Sequence, residues 1–118
     1  MSLANEFIQN PWDSPFHETR LSAIKLRIRW PGYPYGDSVY AIHVKCQDEI
    51  RRETQMTLTR CEIARAIARL YQSFLQHCRE EPWVVEDPRY PFDPKRLYLV
   101  SLENIYGDMF QAVINVDP

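Results

Sequence analysis

The sequence predicts an α+β domain in which a four-stranded sheet is covered by one long helix. Three observations lead there. Two early segments alternate apolar and polar residues with period two, a central segment repeats apolar residues at helical spacing, and two further apolar segments close the chain. The order strand, strand, helix, strand, strand lets every amphipathic element bury its apolar side against another.

In SAIKLRIRW, residues 22–30, Ile24, Leu26, Ile28 and Trp30 alternate with Lys25, Arg27 and Arg29, the signature of a half-buried strand. Pro31 and Gly32 break it. Alternation resumes in VYAIHVKCQ, residues 39–47, with Tyr40, Ile42, Val44 and Cys46 on one side. Two such runs across a Gly/Pro-rich connection predict an antiparallel hairpin.

LTRCEIARAIARLYQSFLQHC predicts the helix. Thr59 is a natural N-cap, Glu62 completes a capping box, and Leu58 and Ile63 sit where a hydrophobic staple lies. Ile63, Ile67, Leu70, Tyr71, Phe74 and Cys78 form one apolar stripe, and Pro82 stops the element. The four prolines of EEPWVVEDPRYPFDPKR then predict an irregular loop. RLYLVSL, residues 96–102, is a continuous apolar run and predicts a strand buried on both faces. ENIYGD connects it to a last strand, MFQAVINV. First and last strands paired in parallel at the centre would make the β-grasp of ubiquitin-like domains; two adjacent hairpins satisfy the same pattern, and both wirings stay open.

With 118 residues the chain suits a single core, placed at residues 21–118. Residues 1–20 contain the turn-favouring NPWDSPF and predict an extended arm pinned by Trp12 and Phe16. A net charge of −2 argues against nonspecific binding to nucleic acid or anionic membrane. There is no secretory leader pattern and no membrane-length apolar run. Three cysteines without a CxxC pair predict reduced thiols in a cytoplasmic protein, with no metal site and no cofactor.

The combination of WPGYPYGDSVYAIHV, LTRCEIARAIARLYQSF and LYLVSLENIYGDMFQAVINVD resembles a group of uncharacterised proteins abundant in mushroom-forming fungi. The likeness spans roughly residues 20–117, close to the whole of one domain. It implies a fungal, intracellular origin and carries over no activity and no functional residue.

Candidate chemistry starts at Cys61, the second residue of the predicted helix and beside Arg60. A helix N-terminus and a guanidinium both favour thiolate, which suits a thiol-dependent enzyme or redox sensor. A nucleophile needs a base within reach, and no histidine is placed near Cys61 by the sequence, so structural use is the expectation. His77 and Cys78 are adjacent on the helix and diverge by about 100°, which does not suit a shared metal. Glu80/Glu81 and Glu86/Asp87 read as solvated carboxylates in a loop.

Two surfaces remain for binding. Lys25, Arg27 and Arg29, joined by His43 and Lys45 of the neighbouring strand, form a basic band on the uncovered sheet face, suited to an acidic segment of a partner protein. Tyr33 and Tyr35 in WPGYPYG, and Trp83 and Tyr90 in the later loop with Phe92, would wall a groove for a peptide or small ligand if the fold brought them together. The resulting expectation is a noncatalytic protein-interaction module, with self-association through an edge strand as a natural extension. The thiol-dependent activity of Cys61 and small-ligand binding by the aromatic loops are the alternatives.

Overall fold

The computed structural model describes residues 12–34, 36–47 and 55–117. Strand β1 (Ala23–Ile28) realises the alternation of its sequence, with Ile24, Leu26 and Ile28 fully buried. Burial of each such side chain contributes roughly 1.5–3 kcal/mol, so β1 is the centre of the core. It pairs antiparallel with β2 (Ser38–His43), setting Arg27 opposite Val39 and Ala23 opposite His43.

The 39–47 segment is not one strand. β1 begins at Ala23, so beyond His43 the chain has no further partner on it. The amides of Val44 and Lys45 both donate to the Ser22 carbonyl, at 3.0 and 3.2 Å, and pinch the ladder shut. The chain continues as β3 (Lys45–Gln47), which pairs with β4 (Gln55–Thr57) in a separate two-stranded sheet.

Helix α1 (Arg60–Glu80) carries the capping box read from the sequence. The Thr59 hydroxyl accepts from the Glu62 amide at 3.2 Å, and the Thr59 amide donates to the Glu62 carboxylate at 3.0 Å. Ile63, Ile67, Tyr71, Phe74, Leu75 and Cys78 are buried along its apolar stripe. At its end the Glu81 amide donates to the His77 carbonyl, and Pro82 follows.

After a short 3-10 turn at Pro94–Arg96, β5 runs from Leu97 to Tyr106 and β6 from Met109 to Val116. The sheet order is β2-β1-β6-β5, with β1 and β6 parallel at the centre. Of the two wirings, the structure has the one with first and last strands side by side, as in a β-grasp. This makes β5 an outer strand. Tyr98 and Val100 are therefore exposed, and the expectation of burial on both faces is corrected: α1 covers only one side of the sheet. A bulge at Val100 keeps Leu97, Leu99 and Leu102 on the inward side, and the strand extends through most of ENIYGD, leaving only Gly107 and Asp108 as the turn.

Of the arm, residues 12–20 are described. Residues 12–20 form turns rather than an extended run, and Phe16 is buried edge-on against Phe110 with centroids 5.4 Å apart. The Arg60 amide donates to the Asp13 carbonyl, tying these turns to the start of α1. Trp12 is 75% exposed among the described residues. Among the described residues no helix is long and apolar enough to cross a membrane.

Candidate functional site

The WPG segment folds as a type II β-turn. The Tyr33 amide closes it on the Trp30 carbonyl at 3.0 Å, with Pro31 and Gly32 at the two central positions and Gly32 at φ +88°. Trp30 continues the inward register of β1 and is 8% exposed. Tyr33 packs edge-on against Phe74 of α1, centroids 5.0 Å apart. Tyr35 lies outside the described residues.

The loop after α1 is built by its prolines and acids. The Val84 amide donates to the Glu81 carbonyl, making a turn across Pro82 and Trp83. That turn sends Val84 into the core and leaves Trp83 and Val85 72% and 76% exposed. A second turn is closed by the Tyr90 amide on the Asp87 carbonyl at 2.8 Å, with Pro88 and Arg89 between. The Asp87 carboxylate accepts from the Arg89 amide and from its guanidinium, which holds the Asp87 pKa below its ordinary value. Pro91 and Phe92 are buried, so the far end of the loop is anchored.

These two loops meet. The Tyr90 ring stands edge-on to Trp30 at 6.4 Å, and Tyr71 of α1 lies 6.2 Å from the same indole. Gly32 approaches the Val85 carbonyl so closely that a Cβ on it would lie 2.8 Å from that oxygen. Trp30 is therefore a core residue with aromatic neighbours from α1 and the second loop. Its Nε1 is buried and has no acceptor among the described residues. Trp83, Val85 and Tyr90 are carried outside on the loop that packs over it.

The sheet face is different from the basic band expected. Lys25, Arg27, Arg29 and His43 do lie on the uncovered side, but acids accompany them. Arg29 pairs with Asp37 at 2.8 Å, and Arg27 lies 3.8 Å from the same carboxylate while donating to Gln111 at 2.9 Å. Lys25 is 3.9 Å from Asp108. Lys45 does not join the face, because it follows the break at Val44 and its Nζ donates to the Thr19 carbonyl. The register of the hairpin, which puts Asp37 just before the residue opposite Ile28, was the signal that could have revealed this neutralisation.

Cys61 is 1% exposed, facing the core from the first turn of α1. Cys78 is equally buried and burial raises its thiol pKa, while His77 beside it is exposed. Among the described residues no group of three histidine, cysteine or acidic side chains converges as a metal site. Comparison with known protein families, with curated proteins and with solved structures finds no match.

Proposed function

We propose that the chain is a noncatalytic protein-interaction module whose contact surface is the aromatic loop of Trp83, Val85 and Tyr90. The observation that carries this reading is the exposure of Trp83 and Val85 on a loop held from beneath by Val84, Phe92 and the approach of Gly32 to Val85. Tryptophan and tyrosine dominate binding energy at protein interfaces, and a pre-ordered loop loses little entropy when it binds. The sheet face offers less, since its arginines and Lys25 already have acidic neighbours. Burial of Cys61 weighs against a thiol-dependent activity. We place the protein in the cytoplasm, a setting compatible with the buried thiols of Cys61 and Cys78.

Affinity capture from native cell lysate tests the reading with three forms of the chain: wild type, Trp83→Ala/Val85→Ser, and Lys25→Glu/Arg27→Glu/Arg29→Glu. A partner kept by wild type and the sheet variant but lost by the loop variant is the expected result. Loss confined to the sheet variant would move the contact surface to the open face.

A second reading, self-association, is favoured by β5. This outer strand of 10 residues exposes Tyr98, Val100 and Tyr106 beside an edge that no described strand pairs with. Sedimentation over a concentration series, repeated with Val100→Lys, decides it.

A further inference from the structure

We infer that the aromatic loop receives an extended, proline-containing segment of the partner, flanked by lysine or arginine. This inference rests on the interaction reading above and specifies the chemistry of the partner.

Three independent features point the same way. The Trp30 Nε1 is a buried donor without an acceptor among the described residues. Such groups are rare in native proteins, and a carbonyl brought by a ligand relieves the cost. The indole that carries this donor has an aromatic and apolar neighbourhood: Tyr90, 37% exposed, stands edge-on to the Trp30 ring, and Trp83 and Val85 lie exposed on the same loop. Polyproline-type segments match that combination, because their rings pack on aromatic side chains and their backbone carbonyls are not used internally. In the proposed complex only the Tyr90 ring rotates, the loop staying anchored by Val84, Phe92 and the Gly32–Val85 approach, and a partner carbonyl accepts from Trp30 Nε1.

The third feature is charge. The segment Glu80–Asp93 holds five acids against one cation, Arg89, and that cation is already paired with Asp87. Glu81 and Glu86 flank the apolar centre and have no ion pair among the described residues. A basic segment at each end of the proline run complements this rim, whereas an acidic partner would be repelled.

The test uses the full chain and a fluorescein-labelled peptide with a proline-rich centre and arginine at both ends, read by fluorescence polarisation. Two control peptides replace the prolines by alanine or the arginines by glutamate. Saturable binding of the first peptide, weakened about tenfold or more by Trp83→Ala and about fivefold by Trp30→Phe, is the expected result. Because Trp30→Phe also alters the core, the indole Nε1 proton of Trp30 is followed by NMR in the unmutated chain, where it shifts on peptide addition.

Equal binding of either control peptide overturns the proposed chemistry, as does an unmoved Trp30 resonance. Failure of the peptide, while Trp83→Ala/Val85→Ser still strips a partner from lysate, overturns this inference and leaves the interaction reading standing. Failure of both experiments overturns both.

Discussion

The ring of Tyr90 stands edge-on to the indole of Trp30, with centroids 6.4 Å apart and planes inclined by 79°. One residue ends the first strand's register and the other closes a turn far along the chain, so the contact ties the two proline-rich loops into one surface. An edge-to-face pair of this kind contributes about 0.5–1.5 kcal/mol beyond area burial. The glycine two positions after Trp30 makes the same junction at backbone level, since it lets the Val85 carbonyl come close. Trp83 and Val85 are thereby presented on an anchored loop.

Gly32→Ala should break this junction. At φ +88° a side chain costs about 1–2 kcal/mol in backbone strain alone, and the new Cβ would also meet the Val85 carbonyl at 2.8 Å. Gly36 has φ +81° but nothing within 4 Å of an added Cβ, so Gly36→Ala isolates the strain. Urea unfolding should show a larger loss for Gly32→Ala than for Gly36→Ala. Equal losses would mean that the approach of the loops contributes nothing to stability.

Tyr71 should give the protein an alkaline limit. Burial beneath Trp30 pushes its phenol up from 10.0 to about 12. The folded chain thus holds this proton more tightly than the unfolded chain. Its contribution is fully present below about pH 10 and is lost as pH rises through 12, amounting to about 2–3 kcal/mol. Urea midpoints measured across that range should fall more steeply for wild type than for Tyr71→Phe. Parallel curves would remove Tyr71 as the cause.

Much of the fold could be read directly because local patterns and tertiary structure agree. The alternation around Ile24, Leu26 and Ile28 is the alternation of burial, and Thr59 and Glu62 cap the helix as their spacing requires. The break at Val44 was hidden because it depends on where β1 begins, a fact about another segment. The strands β3 and β4 have three residues each, too few to show a period. RLYLVSL looked buried because its apolar run is continuous, yet a bulge at Val100 and an outer position leave half of it in water. The aromatic residues of the site were visible individually. Their meeting was not, since it follows from how the helix and the central strands dispose two loops remote in sequence.

Asp37 should govern the charge of the open sheet face. It sits between Arg27 and Arg29, whose side chains are 18% and 58% exposed. Partly solvated pairs of this kind contribute little, so Asp37→Asn should cost less than about 1 kcal/mol in stability. The same change leaves the two guanidinium groups without their carboxylate. Retention on a heparin column should increase, and the increase should vanish at high salt. Unchanged retention would show that Asp37 does not offset the positive charge of this face.

Cys61 offers the sharpest check on whether thiol chemistry is available. It lies in the first turn of α1, and its side chain is 1% exposed. Reagent therefore reaches it only when the helix start opens. Iodoacetamide labelling followed by mass spectrometry should show Cys61 protected by roughly a hundredfold or more relative to the unfolded chain. Removing the cap with Thr59→Ala lowers the cost of opening that turn by about 1 kcal/mol, which raises the Cys61 rate about fivefold. Cys78, buried near the opposite end of the same helix, should keep its rate. Both cysteines accelerating together would indicate global unfolding as the route. Immediate labelling of Cys61 in the native wild type would show that the sulfur is reachable and would return a thiol-dependent activity to contention.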